Sequence, residues 1–275
     1  MAGNFSSDRK IDIKFASMSL HWNNPEGDDF EPWLNKVKSI GYDGITCFSE
    51  GLECFRDKPS ELKSMLDNAG LKLTAVDFQL ADSPENCVRM LDLMSAVGSD
   101  IFVVIVHKAG IKTPELYRYY ADRVNQIGGM SLKRGIRTHL HNNSDSIGRN
   151  LKDWQMLLPL LDFSKVFFMA DTGHVTKDFD ELPPEKRAVK FINDNWDKLS
   201  YLELKDYNGI TDLDTPLGEG LCDLKTIFGM IKERGYTGWI TLEQNRNNGL
   251  SLGRSAEQCA EISLEYARKM LAIGG

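Results

Sequence analysis

The 275-residue sequence has few of the features that mark membrane or nucleic-acid-binding proteins. Its longest apolar run is the stretch 101–106, far short of the ~20 residues that a membrane-spanning helix needs. Lysine and arginine (33) are outnumbered by aspartate and glutamate (40), which gives a net charge of −7. Because binding to a phosphate backbone depends on clustered positive charge, we expect neither a nucleic-acid nor a membrane partner.

Cysteine is scarce, and its pattern does not indicate a disulfide framework or a zinc finger. The five cysteines are odd in number, widely scattered and free of any C-x-x-C pair. The first residues, MAGNFSSDRK, contain no apolar stretch of the kind that a secretory signal needs. These features favour reduced thiols and a cytoplasmic protein, with residues 1–10 as a flexible N-terminal extension.

The sequence does have a regular alternation of apolar, β-branched runs with amphipathic stretches. Helical patterns such as 84–97 and 114–133 begin with proline, and several end at a glycine, such as Gly70, Gly98 or Gly235, shortly before the next strand. This is the loop chemistry of a repeated βα unit with parallel strands. Eight strands are predicted, at 11–20, 44–48, 71–78, 101–107, 136–141, 166–171, 199–206 and 238–244.

Eight βα units of about 34 residues each predict a (β/α)8 TIM barrel, with residues 1–275 as one domain. Closure into a barrel leaves no unpaired sheet edge. A Rossmann-like sheet is the main alternative, but the first strand is followed by LHWNNPEG rather than G-x-G-x-x-G, and no GxxxxGK[ST] motif occurs. In a TIM barrel the active site lies at the C-terminal ends of the strands, so the residues found there are the candidates for function.

All five histidines lie at or just after the ends of predicted strands. His21 follows strand one, His107 closes strand four, His139 and His141 end strand five, and His174 lies three residues beyond strand six. Structural histidines without a shared function would be scattered over both ends of the barrel and over the helices. Their common position favours a site in which imidazole acts as a metal ligand or as an acid or base.

Acidic residues stand at the ends of three consecutive strands. Residues two apart share a face of a strand, so Asp171, Glu203 and Glu243 are predicted to point into the barrel. Buried carboxylates need a cation or a basic side chain. Two local alternatives stay open, a pair between Glu203 and Lys205 and a capping role for Asp171 in the DTGH turn. With His139, which precedes Asp171 by 32 residues, the three carboxylates suit an octahedral divalent ion.

Several motifs resemble those of a known family. The segments THLHNNSD, MADTGHVTKD, YLELKDY, PLGEGLCDL and GYTGWITLEQ resemble the xylose isomerase-like TIM barrels, the sugar phosphate isomerase/epimerase superfamily. Within it, the H-x-H run at 139–141, the DTGH turn at 171–174 and the G-x-G-x-x-D run at 218–223 are nearest to the inosose dehydratase pattern. The resemblance extends from about Phe15 to Ile262, and its specific motifs lie in the C-terminal half.

The resemblance implies a divalent metal cofactor, with Mn²⁺ as the first candidate and Co²⁺ or Mg²⁺ as alternatives. The sequence departs from the epimerases because His139 stands where they have glutamate and Glu203 stands where the family has the histidine of H-x-K-D. Strand two also reads GIT at 44–46, where an acidic residue often stands third. His141 is an alternative to His139 as the ligand from strand five. The implied ligands are His139, Asp171, Glu203 and Glu243.

The implied reaction is enolisation of a keto-sugar or keto-inositol whose carbonyl and adjacent hydroxyl chelate the ion. An imidazole on strand five makes a symmetrical two-carboxylate epimerisation doubtful, so a lyase reaction, dehydration or β-elimination, is favoured. The candidate catalytic groups are Glu243, Glu203, His141, His174 and Lys205. The candidate substrate-binding residues are His21, Trp22, His107 and Glu50.

Other functions remain open at this level. An isomerase or epimerase of the same superfamily differs from a lyase only in the fate of the proton after enolisation. A sugar-binding or partner subunit without activity would carry a damaged version of the same site. A DNA-repair endonuclease would need a site richer in histidine and a basic surface, and the sequence has neither. The expected partner is a small sugar or inositol derivative, and a homo-oligomer or partner subunit is compatible with the sequence.

Overall fold

Eight parallel strands form a closed barrel in which each strand is hydrogen-bonded to the next and the last pairs with the first. The computed structural model describes residues 12–81, 83–107, 110–210, 213–245 and 253–272. The strands are β1 Ile13–Met18, β2 Gly44–Phe48, β3 Lys72–Gln79, β4 Ile101–Ile105, β5 Arg137–Leu140, β6 Val166–Asp171, β7 Leu199–Leu204 and β8 Gly238–Leu242. This confirms the predicted (β/α)8 barrel and all eight predicted strands.

Helices connect the strands and cover the outside of the barrel. Proline begins several of them, and a glycine in the left-handed conformation follows the helices that end at residues 40, 69, 97 and 234, as the sequence predicts. No helix in the described part of the chain is long and apolar enough to cross a membrane. The helices are α1 Phe30–Ile40, α2 Pro59–Ala69, α3 Pro84–Val97, α4 Pro114–Leu132, α5 Leu151–Leu157, α6 Thr172–Asp178, α7 Pro184–Asp194, α8 Leu224–Arg234 and α9 Ala256–Ala272.

The barrel interior changes from apolar to charged toward the C-terminal ends of the strands. Most of the apolar core lies between the strands and the helices, and a smaller cluster that includes Ala75, Val103 and Tyr201 fills the barrel itself. Within the barrel the Tyr201 hydroxyl lies 2.6 Å from Thr241 Oγ1, which lies 2.7 Å from Thr46 Oγ1. The next inward-facing residues along β7 and beyond β8, Glu203 and Glu243, are carboxylates, and the candidate site begins there.

Candidate active site

Four buried carboxylates converge at the C-terminal ends of the strands. Asp77 lies on β3, Asp171 on β6, Glu203 on β7 and Glu243 just after β8, and each is at most 4% exposed. Single ligand atoms of Asp171, Glu203 and Glu243 all lie within 4.8 Å of one another, and so do those of Asp77, His141 and Glu203. Oxygen-rich groups at this spacing can hold a divalent cation.

One lysine lies among these carboxylates. Lys205 Nζ is 2.6 Å from Glu243 Oε1 and 3.4 Å from Asp171 Oδ2, so Lys205 pairs with these two residues and not with Glu203, the partner considered from the sequence. Burial acts to lower the pKa of Lys205, but Asp171 and Glu243 outweigh it and raise the pKa above its usual value. The ammonium group is therefore charged in the buried site.

The four carboxylates are neither all charged nor all hydrogen-bonded: burial, reinforced by Glu203 and Glu243, raises the pKa of Asp77 well above its usual value. Asp77 Oδ1, Asp171 Oδ2 and Glu203 Oε1 are buried and have no hydrogen-bond partner within the described ranges. Burial raises the pKa of Glu243 to about 7, an effect that Lys205 opposes and that Glu203 and Asp171 reinforce. Buried carboxylate oxygens that accept no hydrogen bond are costly, even though one of them, Asp171 Oδ2, lies 3.4 Å from Lys205 Nζ, so this donor set fits a bound cation.

The DTGH turn shapes the site at each of its four positions. Asp171 Oδ1 accepts a hydrogen bond of 2.9 Å from the His174 backbone, so Asp171 caps α6 while its second oxygen faces Lys205. Thr172 Oγ1 donates to the Lys205 carbonyl (2.7 Å) and accepts from the Lys205 N–H (2.9 Å). A Cβ atom on Gly173 would lie 2.6 Å from Lys205 Cγ, so a larger residue does not fit there. The turn thereby positions the lysine beside the carboxylates.

The histidine that meets the carboxylates is His141, directly after β5, and not His139. His141 Nε2 is hydrogen-bonded to Glu203 Oε2 at 2.8 Å and lies 3.8 Å from Asp171 Oδ2. Burial acts to lower the pKa of His141, and the adjacent Glu203 and Asp171 carboxylates outweigh it and raise the pKa. His141 thus belongs to the carboxylate cluster.

His139 lies one layer deeper in the barrel. Its Nε2 is hydrogen-bonded to Ser200 Oγ at 2.8 Å, and its ring packs against those of Phe167 and Tyr201. Burial, reinforced by the nearby Arg137, lowers the pKa of His139 to about 3, so the ring is neutral. The structure thus places His141, the alternative from strand five, beside the carboxylates and leaves His139 outside them.

Two side-chain bridges hold the ends of the strands in place. The ladder between β5 and β6 contains just two residue pairs, and Asn142 continues it by donating to the Asp171 carbonyl (2.9 Å) and accepting from the Asp171 N–H (2.8 Å). The Asp206 carboxylate accepts four backbone N–H groups, from Tyr207, Gly218, Gly220 and Cys222. The G-x-G-x-x-D motif thus wraps the loop after β7 around Asp206, which has a structural role.

The cluster opens into a cavity of about 310 Å³. Five of the residues expected in the site from the sequence line it: His107, His141, His174, Lys205 and Glu243. Glu203 and Asp171 lie beneath it, completely buried.

The other substrate-binding predictions have different outcomes. Glu50 lines an adjoining cavity of about 460 Å³, which His107 also lines. His21 and Trp22 line neither cavity: His21 Nε2 donates to the Ala256 carbonyl at 2.6 Å, and Trp22 Nε1 donates to Ser17 Oγ at 2.9 Å. Both side chains instead connect the segment after β1 to its surroundings, so neither reaches the two cavities that the other predicted residues line.

Asp77 is a site residue that the sequence reasoning missed. It lies on the same face of β3 as Ala75, which packs inside the barrel, and two positions before the end of the strand. Asp171 and Glu203 were identified as acidic residues near a strand end on the face that points into the barrel. The same rule would have identified Asp77. Asn143, Ser144 and Lys177 also line the cavity, from loop and helix positions that carry no such signal.

Comparison with known proteins agrees with this architecture. A family model described as xylose isomerase-like TIM barrel matches residues 34–270. The inosose dehydratase of Klebsiella pneumoniae (strain 342) is 22% identical in an alignment 284 residues long, gaps included. The alignment covers 88% of this chain and 93% of that enzyme.

Solved structures show the same fold. A D-allulose 3-epimerase from Methylomonas sp. superposes with a TM-score of 0.74 at 16% identity, covering 95% of this chain and 99% of the epimerase. A xylose isomerase-like TIM barrel protein from Mycobacterium smegmatis in complex with magnesium superposes with a TM-score of 0.73 at 18% identity, covering 97% and 98%. The chain belongs to the xylose isomerase-like TIM barrel family.

Proposed function

We propose that the protein is a divalent-metal-dependent enzyme that removes the proton next to the carbonyl of a keto-sugar or keto-inositol and then eliminates a leaving group. The observation that carries this proposal is the cluster of four buried carboxylates around Lys205, with three carboxylate oxygens that accept no hydrogen bond among the described residues. The similarity to an inosose dehydratase supports a lyase, and the D-allulose 3-epimerase shares the fold.

The residues that would hold the ion are His141, Asp171, Glu203 and Glu243. One imidazole and three carboxylates suit Mn²⁺, with Co²⁺ or Mg²⁺ as alternatives, and the relative from Mycobacterium smegmatis in complex with magnesium supports a divalent ion. When bound, such a cation supplies Lewis-acid stabilisation of negative charge on a substrate oxygen.

Proton removal is assigned to Glu243. This carboxylate lines the cavity, and its pKa of about 7 places it near neutrality, where a group can both accept and release a proton. Lys205 Nζ, 2.6 Å from Glu243 Oε1, fixes the orientation of the carboxylate and presents positive charge to the cavity.

Protonation of the leaving group is assigned to His174. Its Nδ1 accepts a hydrogen bond of 3.2 Å from the Ser144 backbone N–H, which can only donate, so in the neutral ring Nε2 carries the proton. His174 lines the same cavity as Glu243, and burial lowers its pKa, which favours the neutral ring. Two unlike groups thus act as base and acid, as an elimination requires.

An epimerase or isomerase is the second candidate, and Asp77 favours it. Asp77 and Glu243 both line the cavity, from β3 and from the end of β8. A pair of carboxylates around one substrate is the arrangement that moves a proton between two faces of a carbon. Epimerases have a glutamate on strand five where this chain has His139. Asp77 therefore supplies the second carboxylate of the pair with Glu243.

Product analysis distinguishes the two reactions. The protein is incubated in D₂O with Mn²⁺ and either a keto-inositol or a 3-keto-sugar, and the products are followed by NMR and ultraviolet absorption. A lyase produces an enone or dione chromophore and loses water or an aglycone, whereas an epimerase or isomerase incorporates deuterium without any such loss. Glu243→Gln is expected to abolish deuterium incorporation, and exchange at the wild-type rate in this variant would contradict the assignment of the base.

A further inference from the structure

A second cavity adjoins the candidate active site. Its volume is about 460 Å³, compared with about 310 Å³ for the site cavity, and both share Leu20, Phe48 and His107 as lining residues. Each is within the range of roughly 300–1,000 Å³ that ligand pockets occupy. Because the two cavities have a common wall, a molecule that reacts in the first can extend into the second.

The two cavities come from different parts of the barrel. Apart from the shared residues, the second cavity is lined by the segments that follow β1 and β2 and by the last residue of β3, Gln79. The ionisable residues that line the site cavity all lie at position 77 or later in the sequence, and they include all of the proposed acid and base groups. The second cavity therefore contributes contacts to a ligand and no proposed catalytic group.

Apart from His107, the polar side chains of the second cavity are amides and carboxylates. Amides both donate and accept hydrogen bonds and carboxylates accept them, which suits a row of hydroxyl groups. No lysine or arginine lines this cavity within the described segments, whereas Lys177 and Lys205 line the site cavity. The two carboxylates in this lining disfavour a phosphate or carboxylate substituent. The polar lining residues besides His107 are Asn23, Asn24, Glu26, Glu50 and Gln79.

The polar groups from the β1 segment are held in a fixed conformation. Asn23 and Asn24 have φ values of 64° and 51°, in the left-handed region that asparagine tolerates better than most residues. The turn is closed by hydrogen bonds from the Asn23 N–H to the Leu20 carbonyl (3.1 Å) and from the Asn24 N–H to the Ser19 carbonyl (2.9 Å). Ser19 Oγ also donates to Asn24 Oδ1 (2.9 Å), which fixes the amide and leaves its Nδ2 to donate to a ligand.

We propose that the second cavity binds an uncharged sugar ring attached to the reacting ring, so that the substrate is a neutral glycoside and not a free monosaccharide or a sugar phosphate. Phe48, which lines both cavities, offers an apolar face to the C–H groups of the substrate between the two hydroxyl-binding regions. The identity of the reacting ring rests on the proposed function; the size and charge of the substituent rest on this cavity.

Binding measurements on the Mn²⁺-loaded protein test the proposal without any turnover. Titration calorimetry compares cellobiose, maltose, lactose and sucrose with glucose, galactose, fructose and glucose 6-phosphate. At least one disaccharide is expected to bind 10-fold or more tightly than its own monosaccharides and than the phosphate. Gln79→Ala and Asn24→Ala should remove that gain and leave monosaccharide affinity within twofold, while the control Gln126→Ala, on the exposed side of α4, should leave both unchanged.

Three results would overturn the proposal. The first is that no disaccharide binds more tightly than its own monosaccharides. The second is that the tighter binding of a disaccharide persists in both Gln79→Ala and Asn24→Ala. The third is that glucose 6-phosphate binds most tightly of all the sugars. In each case the proposed function stands or falls separately, because deuterium exchange from a keto-monosaccharide needs only the site cavity. Loss of that exchange with the disaccharide preference intact would overturn the proposed function alone.

Discussion

Gly173 and Lys205 are in such close contact that a Cβ atom at position 173 would lie 2.6 Å from Lys205 Cγ, 2.8 Å from its Cβ and 2.9 Å from its Cδ. Glycine thus lets the lysine stem pass over the start of α6. The same stem delivers Nζ to Glu243 Oε1, 2.6 Å away. A residue without a side chain therefore determines where the buried positive charge of the site lies.

Replacing this glycine should disable the site while the barrel still folds. In Gly173→Ala the new methyl group displaces the Lys205 stem and separates Nζ from Glu243, and a misplacement of about 1 Å costs roughly 100-fold in rate. Deuterium exchange measured by NMR checks the rate, and circular dichroism checks the fold. Gly229→Ala is the matched control because nothing lies within 4 Å of the added Cβ in α8, where alanine stabilises the helix by up to about 1 kcal/mol. Wild-type exchange in Gly173→Ala would contradict this role.

His139 on β5 and His141 directly after it should differ in their effect on metal binding. His141 is hydrogen-bonded to Glu203, whereas His139 is hydrogen-bonded to Ser200 in the layer below. His141→Gln is expected to weaken Mn²⁺ binding by at least about 10-fold, and His139→Gln should leave affinity within about twofold. Electron paramagnetic resonance of free Mn²⁺ gives both affinities. The reverse order would restore His139 as the ligand.

His139 should also make stability depend on pH. Its pKa is about 3 in the folded protein and about 6.5 in the unfolded chain, so between these values the unfolded chain binds more protons. The free energy of unfolding should therefore fall as pH decreases from 6.5 toward 3, by up to about 1.4 kcal/mol per pH unit from this residue. The free energy of unfolding is measured with urea between pH 4 and 6 in EDTA. Its dependence on pH should be less steep in His139→Gln, by the amount that corresponds to about one proton. An unchanged slope would show that His139 does not remain neutral in the fold.

Asp206 should contribute to stability and not to metal binding. Its carboxylate accepts hydrogen bonds from four backbone N–H groups. In Asp206→Asn the amide NH₂ would face some of these N–H groups, and it cannot accept a hydrogen bond from them. The variant should lose about 1–3 kcal/mol of unfolding free energy and keep its Mn²⁺ affinity. Denaturant unfolding and a Mn²⁺ titration measure the two quantities. Loss of Mn²⁺ binding in a folded Asp206→Asn protein would place Asp206 in the site.

The sequence was sufficient to predict the barrel because the strand pattern, the prolines that begin helices and the glycines that end them are local signals. Strand parity also predicted correctly that Asp171, Glu203 and Glu243 face inward. Parity does not distinguish His139 from His141, since both point into the barrel and only the stagger between neighbouring strands sets their depth. That stagger is a tertiary property, visible in the pairing of His139 with Phe167.

Pocket residues on loops were the least predictable. His21 follows a strand end, as His107 does, yet its ring turns toward the Ala256 carbonyl at the start of α9, more than two hundred positions later in the chain. No local pattern contains such a contact. Asp77, in contrast, obeyed the parity rule and was overlooked within the apolar run of β3.

The metal dependence of deuterium exchange tests the central claim most directly. EDTA-treated protein is mixed with a keto-inositol or 3-keto-sugar in D₂O, and exchange at the carbon next to the carbonyl is followed by NMR before and after Mn²⁺ is added. Exchange should begin with the metal, and Glu203→Ala, which removes a carboxylate common to both groups of ligand atoms, should remain folded and show none. Equal exchange in EDTA and in Mn²⁺, or full activity in Glu203→Ala, would contradict the account.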